Sequence, residues 1–111
     1  MIVDTPYEVD FVAPSTSTGS MGGIKITLPK SVKEWIFLKS PDIVYLKSAR
    51  LQRATDGDFF DLDSPRLSKG NLDARYIIIP KKKVAEHSVK VGDNFKVALK
   101  WSNYEVVDDG Q

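Results

Sequence analysis

The 111-residue chain contains no cysteine and one histidine, His87. The first absence excludes a disulfide framework, a thiolate metal site and a cysteine nucleophile. A single histidine cannot form a multi-histidine metal site or a catalytic imidazole pair. No apolar run is long enough to cross a bilayer as a helix, and none of the usual phosphate-loop, nucleophile-elbow or dinucleotide fingerprints occurs. Asp4, Glu8 and Asp10 fall where a secretory leader would be apolar. Asp56-Gly57-Asp58 with Asp61 and Asp63 has the look of a calcium loop, but Leu67 stands where that loop needs its closing glutamate. Together these features predict a cytoplasmic, non-enzymatic protein with no catalytic residues, metal, cofactor or membrane partner.

Hydrophobic residues make up 41% of the chain, enough for one core but, at this length, not for two independent ones. The net charge of +1 hides an uneven distribution. Residues 1–19 carry three acids and no base, and residues 105–111 do the same, while all 16 Lys and Arg lie in residues 20–104. A basic middle between acidic ends suits an anionic partner, or ends that shield the middle, as well as ordinary solvated charge.

Tyr7 to Val12 alternates apolar and acidic residues, which predicts a half-buried strand. Ser15 to Gly23 is almost entirely Ser, Thr and Gly and reads as a flexible connection or a long hairpin loop. Ile24, Ile26 and Leu28 define one face of a second strand, which Pro29 should end because it has no N–H for the ladder. Ser31 with Glu34 forms a capping-box pattern, and Val32, Trp35, Ile36 and Leu38 supply an apolar helix face. Val44 and Leu46 start another alternating strand. Residues 54–74 are turn-rich, with a short strand around Phe59–Leu62. Tyr76–Ile79 is then a strand ended by Pro80, and Lys82–Val89 a short helix. Lys90–Asp93 reads as a turn, Phe95, Val97 and Leu99 as one face of a strand, and residues 104–107 as a last strand.

Two of these stretches match. Residues 27–42 read TLPKSVKEWIFLKSPD and residues 78–93 read IIPKKKVAEHSVKVGD, with the same step of 13 from Pro to Asp and a period of 51 (80−29). Proline ends a strand and pre-sets the dihedral that opens a helix. Glycine before Asp permits the positive φ that turns helix into strand, and Asp can tie that turn through backbone N–H groups. Neither half can bury its own apolar faces, so the two are expected to share one core.

The segment Gly23-Ile24-Lys25-Ile26-Thr27-Leu28-Pro29-Lys30, followed by Val32, Leu38, Lys39 and Asp42, resembles the swapped-hairpin domain of AbrB/SpoVT-type transcription regulators, which MazE-type antitoxins share. Ile79-Pro80-Lys81 with Val89, Lys90, Gly92 and Asp93 resembles a second copy. The resemblance implies a mainly β fold with two short helices, closed as a single-chain, pseudo-two-fold swapped-hairpin β-barrel. It divides the chain into an N-terminal strand and flexible segment (1–22), a barrel of two repeats (23–107, repeats about 23–53 and 74–107) and an acidic tail (108–111). It departs from the family pattern at Pro41, which replaces the turn glycine, and at Tyr76, which stands where the strand would be basic.

The resemblance further implies a DNA-binding transcription regulator that contacts duplex DNA through basic strand and helix residues. Lys25 fills the strand position and Lys33 a helix position, Lys30 and Lys81 follow the prolines, and Lys82 and Lys83 add charge to the second helix. Arg50, Arg53 and Arg75 are expected to rim the same face, with Arg66 and Lys69 as further rim candidates. The alternative is a protein-interaction module or antitoxin-like adaptor, engaging a partner protein through the N-terminal segment. Family members commonly dimerise, so a homodimer is a further expectation. Trp35 and Trp101 suit core or partner-facing packing better than base stacking, and His87 reads as a surface helix residue.

Overall fold

The computed structural model describes residues 2–19 and 23–106. Seven antiparallel strands dominate it: β1 (Ile2–Ser17), β2 (Ile24–Thr27), β3 (Ser48–Arg53), β4 (Phe59–Asp63), β5 (Ser68–Lys69), β6 (Arg75–Ile79) and β7 (Asn94–Val106). Two helices, α1 (Lys30–Lys39) and α2 (Lys81–Glu86), follow β2 and β6 directly. The strands form one curled, half-barrel sheet in the order β4-β3-β7-β1-β2-β6-β5. No described helix is long and apolar enough to cross a membrane.

The period-2 pattern decides which face points inward. Ile24 and Ile26 in β2 and Ile77 and Ile79 in β6 are buried, and so are Phe95, Val97, Leu99 and Trp101 in β7. Each fully buried side chain of this size contributes about 1.5–3 kcal/mol. Val32 and Ile36 add α1 to the same core.

The pairing of strands ties the two similar segments together. β2 does not pair with β3, nor β6 with β7; instead β2 pairs with β6 and β3 with β7. Ile26 lies opposite Ile77, so the β2–β6 ladder is centred on two residues separated by the 51-residue period. The first helical hydrogen bonds match as well, Lys33 N–H to Pro29 O and Val84 N–H to Pro80 O, both at 3.0 Å. Beyond the helix starts the period is lost. Inward positions in β3 are Ala49 and Leu51, whereas 51 residues later stand the exposed Lys100 and the half-buried Ser102, so the faces no longer correspond.

Several local expectations change. α1 starts at Lys30 on the heels of Pro29, whose φ of −55° already suits a helix, and no side chain caps it; Ser31 lies inside the helix. Leu38 is 73% exposed and not part of the apolar face. The strand expected from Val44 begins at Ser48, because residues 41–47 form a turn and a bridge between Tyr45 and Arg66. α2 spans Lys81–Glu86, and Val89 packs into the core from the turn after it. Residues 94–106 form one unbroken strand, and Val107 lies outside the described residues.

Ser15–Ser17 belongs to β1, where Ser15 is buried and its hydroxyl donates to Lys90 O. Thr18 and Gly19 follow the strand, and residues 20–22 are outside the described set. In the second repeat the turn is built as its residues suggest: Gly92 has φ +96°, and Lys90 N–H donates to the Asp93 carboxylate at 2.9 Å.

Candidate nucleic-acid interface

Where β2 and β6 run side by side, alternation sends Lys25, Thr27, Tyr76 and Ile78 outward. Lys25 stands opposite Ile78 and next to Thr16 of β1, with its ammonium 4.7 Å from the Tyr76 ring centre. Tyr76 is the residue 51 positions after Lys25, so the second copy contributes an aromatic platform under the first copy's charge. The two prolines end antiparallel neighbours, so Lys30 and Lys81 sit at opposite ends of this pair, each opening the helix that follows its strand.

Lys30 and Lys81 are exposed. Lys30 approaches Glu34 at 3.9 Å, an i,i+4 contact in open solvent that is worth little. Lys82 and Lys83 both approach Glu86, at 3.9 and 4.0 Å. Together with Arg66 they rim a groove of about 550 Å³ whose lining includes Ile78, Pro65 and Pro80.

The other candidates are engaged in ion pairs. Lys33 is held against Asp73, whose carbonyl accepts its ammonium at 3.0 Å, and only 18% of its side chain is exposed. Arg75 donates to Asp73 Oδ1 at 2.8 Å and lies 5.0 Å from the Phe37 ring centre. These bonds, Arg75's first, hold the Asp73 carboxyl below its ordinary range. Arg50 forms a two-pronged pair with Asp61 at 2.8 and 3.2 Å on the outer face of the β3–β4 ladder, lowering that carboxyl too.

Arg53 is the most enclosed of the group, with 12% of its side chain exposed. It binds Asp56 with two nitrogens, approaches Asp58 and Asp93 at 3.5 Å each, and donates to His87 O at 2.8 Å. Its hydrogen bonds are the chief reason the Asp56 carboxyl is depressed. So two carboxylates of the Asp-Gly-Asp segment serve an arginine, and no group of ligands fit for a metal ion occurs among the described residues.

His87 corrects its expected role. Its Nδ1 lies 2.9 Å from Asp58 Oδ2 and its ring stacks on Phe60 with centres 4.6 Å apart, so it closes the end of α2 onto β4. Trp101 is buried and its indole N–H donates to Ser40 Oγ at 2.9 Å. Trp35 packs edge-on against it at 5.4 Å. The structure thus gathers Lys25, Lys30 and Lys81 around the β2–β6 pair and removes Arg50 and Arg53 to the β3–β4 side. No family model, curated protein or solved structure matches the chain.

Proposed function

We propose that this protein is a transcription regulator that binds duplex DNA through the outward face of β2 and β6 and the lysine-led starts of α1 and α2. The same proposal takes the half-barrel as a single-chain swapped-hairpin fold of AbrB type, in which each repeat pairs its strands with the other repeat's. The pairing of β2 with β6 and of β3 with β7 supports that architecture. A cytoplasmic setting follows from it.

One observation carries the functional reading: Lys30 and Lys81 are exposed and Lys25 lies half-buried over Tyr76 on the outward side of the β2–β6 pair, while Lys33, Arg50, Arg53 and Arg75 are occupied by carboxylates. The two helix starts lie at opposite ends of the strand pair, an arrangement suited to phosphates on either side of a groove about 12 Å wide. Lysines acting on phosphate supply affinity and steering, and Thr27 and Tyr76 between them offer polar and flat surfaces to the groove floor. The arginines, on this reading, hold the scaffold and do not read bases.

Binding of a fluorescent duplex across a salt series tests this. Every phosphate-bound lysine contributes about 0.9 to the slope of log affinity against log salt, so the triple change of Lys25, Lys30 and Lys81 to Ala should flatten it by roughly two to three. Negligible affinity at low salt, or an unchanged slope in a folded triple variant, defeats the reading.

A further inference from the structure

The two edges of β1 are used differently. One pairs with β7 from Ile2 to Pro14, whereas the other meets β2 only at Ser15–Ser17. Along residues 2–13 this second edge has no neighbouring strand among the described residues, and no described group hydrogen-bonds to it. Ser15 turns its N–H toward Asp93 O, on the β7 side. By alternation, Asp4, Glu8, Asp10 and Val12 aim their N–H and C=O groups at the open edge. A row of unpaired backbone groups of this kind is a template for another strand.

The residues along the edge specify which strand fits. Asp4, Glu8 and Asp10 lie on the exposed face, and none of their carboxylates has an ion-pair or hydrogen-bond partner among the described residues, although Lys100 stands in register opposite Glu8. Two copies joined through this edge would set acid against acid, which destabilises cross-strand neighbours. Pro6 falls in the same alternate set and lacks an N–H, so an added strand misses one bond there and a symmetric pair would miss it twice. Self-pairing is therefore disfavoured, and a cationic strand is favoured. On the opposite face the half-buried Tyr7, packed against Trp35 and Trp101, and Val9 extend the core toward the edge.

We propose that the open edge of β1 accepts, by strand addition, an extended segment of another protein in which Lys or Arg alternates with apolar residues. Backbone hydrogen bonds would supply affinity, and Asp4, Glu8 and Asp10 would select charge. The inference does not depend on DNA binding, since Lys25, Lys30 and Lys81 take no part in it.

The test titrates the full ¹⁵N-labelled chain with a synthetic peptide of alternating lysine and valine. Two control peptides are used: one N-methylated at every second residue with its charge intact, and one with glutamate in place of lysine. Strand addition predicts at least tenfold slower amide exchange at Glu8, Asp10 and Val12, with at least tenfold weaker binding of the N-methylated peptide. The double variant Glu8→Lys with Asp10→Lys should reverse the preference toward the glutamate peptide while leaving DNA affinity in place. Equal binding of the N-methylated peptide, or unprotected amides at those residues, would mean simple charge attraction and would overturn the proposal. So would a dimer in sedimentation that dissociates in the double variant, because a second copy would then be the occupant.

Discussion

Ile26 and Ile77 face each other across the centre of the β2–β6 ladder, each about 1% exposed. They hold equivalent places in the two similar segments, so the core is built around a contact between a residue and its own counterpart. The short ladder depends on this pair because β2 has only four residues.

Replacing either isoleucine with alanine should cost about 2–4 kcal/mol, the transfer loss plus the cavity left behind. Because the two side chains are neighbours in one ladder, the double variant should depart from additivity by roughly 0.5 kcal/mol or more. Denaturant unfolding of the two single variants and the double variant measures both quantities. A purely additive pair would mean that the two strands are stabilised independently of this contact.

Arg53→Ala should destabilise the protein by roughly 1–3 kcal/mol, since Asp56, Asp58 and Asp93 lose a shared cation and His87 O loses a donor. Arg53→Lys should recover little of this. A single ammonium cannot bind Asp56 with two nitrogens and still reach His87. Thermal melts of the two variants separate lost charge from lost fork geometry.

Acid should weaken the fold in a defined direction. The carboxyls of Asp56, Asp61 and Asp73 are held low, above all by hydrogen bonds from Arg53, Arg50 and Arg75 respectively. A group depressed in the folded state stabilises it above the unfolded value, near pH 4, and loses that contribution as pH falls through the folded value. The melting temperature should therefore be flat at mildly acidic pH and drop below about pH 4. Asp61→Asn should make the drop shallower, and added salt should reduce the effect because these pairs are exposed.

Gly92→Ala should cost about 1 kcal/mol through backbone strain alone. Gly92 sits at φ +96°, and a Cβ there would meet nothing within 4 Å. Pro41, at the matching place in the first repeat, belongs to a different turn in which Ile43 N–H donates to Ser40 O at 3.2 Å. Pro41→Gly should therefore fail to stabilise the chain, and a clear rise in melting temperature would show that the two turns are alike after all.

Much of the fold could be read in advance where a local rule acts alone. The alternation of Ile24, Ile26 and Leu28, and of Phe95, Val97 and Leu99, gave both strands and their inward faces. The prolines marked the strand ends, and the Gly92–Asp93 turn followed from its residue types. Helix boundaries were less legible, because Pro29 and Pro80 open α1 and α2 without the side-chain cap that Ser31 and Glu34 suggest. The Ser- and Thr-rich stretch at 15–17 resembles a linker by composition. Its place in β1 depends on Asp93, Lys90 and Ile26, all distant in the chain.

The candidate surface divides in the same way. Sequence alone determined the basic middle, the repeated Pro-Lys step and the alternation that turns Lys25 outward, since charge and period-2 patterning are local properties. Only the tertiary structure decided which cations stay available. Asp61 reaches Arg50 across a ladder, Asp73 folds back on Lys33 from 40 residues away, and Asp93 closes on Arg53 from another element. An ion pair between distant segments depends on how the sheet curls, and no spacing along the chain encodes that. The open edge of β1 has the same origin: an edge is unpaired only with respect to every other strand, so it is a property of the assembled sheet.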